Sequence, residues 1–197
     1  DGLSRLEYRG YDSAGIALAR PGELDVIKAV GKLVNLREAV DSEAPADAYA
    51  GIGHTRWATH GRPTVTNAHP HVSPDGRFAL VHNGIIENAD KLRTRLRTQG
   101  AVFASETDTE VVVHLLAHAY DQADPASYTG EVAQLSGTDE AVARRLVVAM
   151  REVTAKLEGT FTLLALSTES PNVIVAARRS SPLVIGLGEG ENFLGSD

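Results

Sequence analysis

Cysteine is absent from all 197 residues. That removes a disulfide framework, cysteine-ligated zinc and any thiol nucleophile supplied from within this stretch. Long apolar runs are absent as well: none approaches the ~20 residues that a spanning helix needs. The opening DGLSRLEYRG has neither the basic flank nor the apolar stretch of a secretory signal. Positive charge is in deficit, since 19 basic against 26 acidic residues give a formal charge of -7. There is thus no electrostatic reason to expect nucleic acid or an anionic membrane as a partner. A small polar substrate and a cytoplasmic setting fit these absences.

What is present is a chain 43% hydrophobic, long enough for one substantial core and short for two, without internal repeats. Leu3, Leu6 and Tyr8 look like the tail of an amphipathic helix already running at the first residue, so the natural chain is expected to begin further upstream. SAGIALA (13–19) and ELDVIKAV (23–30) are β-prone and joined by Arg20-Pro21-Gly22, which predicts an antiparallel hairpin. Apolar residues at 33, 36, 39 and 40 predict a helix over 32–40, broken by the polar stretch that follows. GIGHTRW (51–57) and FALVHNG (78–84) read as strands on either side of a loop of about twenty residues, long enough to suggest a function.

Downstream, NADKLRTRLRTQG (88–100) reads as a surface helix with an asparagine cap and a terminal glycine, and AVFAS (101–105) as a short strand. Ser105 and Asp108 stand at capping-box spacing before an apolar-faced helix reaching residue 122. A polar loop over 123–138, a helix over 139–158 and the closing strands FTLLALST, NVIVAARR and PLVIGLG complete the pattern. Strands in groups and helices in pairs predict an antiparallel α+β sandwich rather than a doubly wound parallel sheet.

Five of the seven histidines, His54, His60, His69, His71 and His82, fall between residues 54 and 82, in company with Arg56, Trp57 and Asn83. One reading is a metal site using His69-x-His71 with His54 or His82. His114 and His118 have i, i+4 spacing but lack the glutamate of H-E-x-x-H, so a metalloprotease helix fails. Arg56 ahead of Trp57, Thr59 and His60 suggests a carboxylate-recognising loop, because a planar guanidinium binds both oxygens. The plainer alternative is a surface arginine beside a core tryptophan. Asp108 offers a charge for an ammonium group, or is simply a cap acid. His82-Asn83-Gly84 presents an amide and a glycine N–H, donors suited to an oxyanion hole, although Asn-Gly alone is only a turn signal. The glycine-rich GLGEGENF (186–193) matches no nucleotide fingerprint.

Taken together, LEYRGYDSAGIA (6–17), GHTRWATHGRPTVTNAHPHV (53–72), VHNGIIEN (81–88) and SETDTE (105–110) resemble the class II glutamine amidotransferase domain of the glucosamine-6-phosphate synthases. The closing SSPLVIGLGEGENFLGSD is similar to it too, so the likeness runs the length of the chain. The resemblance implies an N-terminal-nucleophile hydrolase fold, a four-layer αββα sandwich with two antiparallel sheets. It implies hydrolysis of L-glutamine by a cysteine at the mature N-terminus, in a stretch of roughly twenty residues upstream of residue 1; without that cysteine, hydrolysis is expected to be lost. It further implies Asn83 and Gly84 as oxyanion donors, Arg56 for the substrate α-carboxylate and Asp108 for its α-ammonium. Trp57, Thr59 and His60 fall in a closing loop over 58–77, Arg9 beside the nucleophile and His69 in a supporting role. No metal or cofactor is called for. The implied partners are L-glutamine, sugar-phosphate isomerase domains of the same polypeptide, and a second copy in a homodimer. Alternatives are the glutaminase domain of an amidophosphoribosyltransferase or an asparagine synthetase, a glutamine-binding module without catalysis, and a metal-dependent hydrolase.

Overall fold

The computed structural model describes residues 2–58, 61–131 and 138–196, with Arg9 and Thr138 described by their backbone alone. A short helix α1 (Gly2–Leu6) and a 3-10 turn (Glu7–Arg9) lead into β1 (Ser13–Arg20) and β2 (Glu23–Val30), followed by α2 (Leu33–Glu43) and β3 (Ala50–Arg56). Then come β4 (His71–Val72), β5 (Phe78–Ile86), α3 (Ala89–Thr98), α4 (Asp108–Gln122) and α5 (Thr138–Lys156). The strands β6 (Gly159–Ser167), β7 (Ser170–Arg179), β8 (Val184–Leu187) and β9 (Asn192–Gly195) close the described chain.

Among the described residues the strands form one sheet in the order β2-β1-β3, a second in the order β4-β5-β6-β7, and the hairpin β8-β9, with antiparallel pairing throughout these strands. The two-residue alternation of side chains sorts each strand between two cores. Ala14 and Ile27 face outward onto Leu36 of α2, whereas Ala17, Ala19 and Ile52 face inward onto Ala79, Val81 and Leu166 of the second sheet. The opposite face of that sheet, including Phe78, Leu80 and Leu163, packs on α3, α4 and α5. The order is helix, sheet, sheet, helices, as expected from the sequence. Small inward residues bring the sheets close. At Gly15 a side chain would collide with the carbonyl oxygen of His69.

The Pro21-Gly22 turn joins β1 to β2 in the register Arg20↔Glu23. Four expectations need correction. AVFAS is not a strand: the N–H groups of Ala104 and Ser105 are bound by the Glu110 carboxylate at 2.8 and 2.7 Å, which leaves no ladder to join. The cap of α4 is Thr107, whose Oγ1 accepts from the Glu110 N–H, so the capping pair is Thr107/Glu110 rather than Ser105/Asp108. Asn88 does not cap α3; its side chain instead pairs with the Lys156 carbonyl and the Glu158 N–H. Helix α4 is buried on nearly every side from Asp108 to Tyr120, because α3, α5 and the sheet enclose it. Two strands, β4 and β9, had no clear sequence signal, and GLGEGENF is the turn and flank of the β8-β9 hairpin.

Candidate active site

Three elements converge at one end of the inter-sheet space. Strand β3 turns His54 and Arg56 inward, the end of β5 carries His82, Asn83 and Gly84, and α4 begins at Asp108. Between them lies a cavity of about 280 Å³ walled by His54, Arg56, His69, Asn83, Gly84 and Asp108, with Trp57 at its edge. Of the residues singled out from sequence, Arg56, Trp57, His69, Asn83, Gly84 and Asp108 are therefore brought together. Thr59, His60 and the Arg9 side chain lie outside the described residues.

The plain reading of Arg56-Trp57 is inverted. Arg56 is only 4% exposed, whereas Trp57 is 58% exposed and stands 5.7 Å from the Tyr11 ring. The Arg56 guanidinium donates to the carbonyls of Gly61 and Arg62 at 3.3 and 3.4 Å, tying these two residues to the end of β3. Burial holds that guanidinium below its ordinary pKa, while the carboxylates of Asp12 and Asp108 oppose the shift. Asn67 ties the same segment to the start of α4: its amide donates to the Arg62 carbonyl and to Glu106 Oε2, and its Oδ1 accepts the Glu106 N–H.

Asp108 is fixed from both sides. Its Oδ2 accepts the Ile86 N–H at 3.0 Å and its Oδ1 accepts from Thr109 Oγ1 at 3.3 Å. Thr109 Oγ1 also lies 3.0 Å from His69 Nε2 and 3.1 Å from His82 Nδ1. A hydroxyl has a single proton. With that proton on Asp108, both imidazoles donate to Thr109, and His69 Nδ1 and His82 Nε2 become the bare acceptors, which are the ring atoms left buried and unbonded among the described residues. His71 Nε2 bonds Thr107 Oγ1 at 2.9 Å and His54 Nε2 bonds Asn83 Oδ1 at 2.7 Å. Each ring is committed to a hydroxyl or amide partner, and among the described residues no group of three or more His, Cys, Asp or Glu could hold a metal ion.

Burial holds His54 down to about 4, His71 down to about 3 and His69 well below its usual range. Glu110 behaves oppositely. Burial alone would raise its carboxyl, but hydrogen bonds from His114, Ser105 and two backbone N–H groups outweigh it and bring the group to about 2. Arg93 completes the clamp on this segment by donating to the carbonyls of Ser105 and Thr107.

Gly84 has φ +124°, a conformation open to glycine, and a side chain there would collide with the Thr160 carbonyl. The strand can therefore turn its backbone at the cavity wall beside the Asn83 amide. A buried guanidinium, a carboxylate and a pair of neutral donors around one cavity suit an amino acid whose side-chain carbonyl is to be attacked.

A family model described as a glutamine amidotransferase domain matches residues 13–123, more than half of the chain. The chain belongs to that family.

This amidotransferase domain is 52% identical over 196 residues to a Streptomyces coelicolor protein named glutamine--fructose-6-phosphate aminotransferase [isomerizing], and 51% identical over 200 residues to a protein of the same name from Mycobacterium tuberculosis. Each alignment takes in all of this chain but 29% of the relative, so the amidotransferase domain spans under a third of their length. Among solved structures it is similar to the glutamine phosphoribosylpyrophosphate amidotransferase from B. subtilis, with TM-score 0.69 and 24% identity over 98% of this chain and 37% of that one. A structure described as the allosteric regulatory enzyme of purine biosynthesis gives TM-score 0.73 and 24% identity over 99% of this chain and 38% of that chain. At that identity the likeness concerns the fold alone.

The residues that sequence reasoning missed are Thr107, Thr109, Glu110, Arg93 and the part played by His54. The spacing Thr107-x-x-Glu110 was a visible capping signal. Nothing in sequence marks Thr109 as the shared partner of histidines 27 and 40 positions away.

Proposed function

We propose that residues 1–197 are a single glutaminase domain of a longer polypeptide, hydrolysing L-glutamine to glutamate and ammonia for amination of fructose 6-phosphate by sugar-phosphate isomerase domains of that polypeptide. The observation that carries the reading is the convergence of Arg56, Asp108 and Asn83-Gly84 on one cavity of about 280 Å³. In this reading Arg56 takes the α-carboxylate of glutamine, Asp108 its α-ammonium, and the residues around Trp57, with Thr59 and His60, close over the bound substrate. Arg9 and His69 support the nucleophile and the cavity floor respectively.

The attacking thiol comes from a cysteine upstream of these residues, as the resemblance implies. The thiolate adds to the carboxamide carbon, and negative charge gathers on oxygen, where the Asn83 side chain and the Gly84 N–H meet it. The C–N bond then breaks, the nitrogen gains a proton and departs as ammonia, and water releases glutamate from the thioester. Identity above 50% to the fructose-6-phosphate aminotransferases over the whole chain favours this over the purine-pathway alternative, whose likeness is at the level of fold. A homodimer and a cytoplasmic setting belong to the same reading.

The test is glutamate release from glutamine by the full-length polypeptide, with and without a thiol alkylator and fructose 6-phosphate. Alkylator-sensitive turnover is expected. Turnover indifferent to alkylation would overturn the mechanism, and glutamine binding without turnover would turn the reading toward a sensing module.

A further inference from the structure

We propose that His54 is a positioning residue for the oxyanion donor: its Nε2–H holds Asn83 Oδ1, so that the Asn83 amide presents Nδ2 and not oxygen to the cavity. This rests on the glutaminase reading above. A carboxamide is nearly symmetric in shape, so packing alone does not distinguish its two faces, and a flipped Asn83 would set an oxygen lone pair against a developing oxyanion. Something must therefore choose.

His54 Nε2 lies 2.7 Å from Asn83 Oδ1, and among the described residues the Asn83 side chain has no other hydrogen bond. Asn83 faces the first sheet from β5, and β3 brings His54 to it from across the interface, the two residues being 29 apart in sequence. A neutral imidazole carries one N–H. With the proton on Nε2, the buried Nδ1 is left as a bare acceptor, consistent with its having no partner. The opposite tautomer would bury an unsatisfied N–H and set two lone pairs against each other at the Asn83 contact, the less tolerable arrangement, since orphaned buried donors are rarer than orphaned acceptors. The His54 ring is further fixed by the His69 ring, centroid to centroid 4.2 Å. Orientation is thus built into the ring before substrate arrives.

The experiment compares two polar replacements of different reach in the full-length polypeptide, with melting temperature as the check on folding. In His54→Gln the side-chain amide nitrogen reaches the Nε2 position and can still donate to Asn83; in His54→Asn it falls short. Expected is kcat within about threefold of wild type for His54→Gln, and a loss of roughly tenfold to a hundredfold for His54→Asn at nearly unchanged KM for glutamine, smaller than or equal to the loss on deleting an oxyanion donor. In an Asn83→Ala background His54→Asn should cost nothing further, because the amide it orients is gone. A folded but inactive His54→Gln would overturn the proposal and make the imidazole itself a proton carrier; full additivity with Asn83→Ala, or a loss confined to KM, would also overturn it. If wild type releases no glutamate, the glutaminase reading falls and this proposal with it. Should His54→Asn not fold, the His54→Gln result alone decides.

Discussion

Asp108 Oδ2 accepts the Ile86 N–H at 3.0 Å, which ties the first residue of α4 to the end of the strand that carries Asn83 and Gly84. The proposed ammonium acceptor and the proposed oxyanion donors are therefore held to one another by a charge-assisted hydrogen bond. Asp108→Asn keeps an oxygen for Ile86 and removes the charge. Its expected signature is a rise in glutamine KM of roughly tenfold or more with kcat changed far less, seen in steady-state glutamate release; an equal fall in kcat would mean that the carboxylate acts in the chemical step.

Arg56→Lys separates charge from shape. A lysine retains the positive charge but cannot span both Gly61 and Arg62 carbonyls and a substrate carboxylate with a planar fork. Glutamine affinity should drop on the order of tenfold, and proteolysis of the segment after β3 should speed up, since two of its anchors are lost. Unchanged cleavage with weakened binding would confine Arg56 to substrate recognition.

Much of this architecture was legible because it rests on local chemistry. β-prone composition and the Pro-Gly turn revealed the β1-β2 hairpin, and the apolar-faced stretch reaching residue 122 revealed α4. AVFAS was misread because its β-prone composition competes with a carboxylate five to six residues on, and Glu110 wins by taking both backbone donors. Likewise, Arg56 and Trp57 traded their expected burial because the arginine has carbonyl and carboxylate partners inside while the indole covers a rim. His54 showed itself only as one histidine in a crowd, since its partner Asn83 comes from the other sheet. Long-range pairing of this kind leaves no periodic trace.

Acid should unfold the domain through its buried imidazoles. His54, His69 and His71 are held neutral, with folded-state pKa values depressed to about 4, well below normal, and about 3 respectively. The unfolded chain, titrating near 6.5, binds protons first as pH falls, so stability is complete above that value and lost progressively toward the folded values. From pH 7 to pH 5 the loss is roughly 2 kcal/mol for each of His54 and His71, and His69 adds to it in the same direction. A fall in melting temperature on the order of 10 °C over that interval is expected. His71→Gln, which retains a donor toward Thr107, should flatten the acid limb; an unchanged slope would place the acid sensitivity elsewhere.

Glu110 is the residue whose loss should damage the fold and the site together. One oxygen accepts the Ala104 N–H, the other accepts the Ser105 N–H and hydroxyl, and the adjacent Arg93 grips the carbonyls of Ser105 and Thr107. Glu110→Ala would leave the buried Ser105 N–H and the more exposed Ala104 N–H without their acceptor, and Arg93 without the Glu110 carboxylate 4.0 Å away, at a cost of roughly 3 kcal/mol. For a domain of this size that corresponds to a drop in melting temperature of roughly 6–12 °C. Because the segment leads directly into Thr107 and Asp108, glutamine KM should rise in the same variant even at temperatures where it is fully folded. Glu110→Gln keeps one acceptor oxygen and the shape, so it should recover part of the melting temperature while still failing to hold both N–H groups. If Glu110→Gln matched wild type in both measurements, the negative charge would be dispensable, and the clamp would owe its strength to packing against Phe103 and His114 instead.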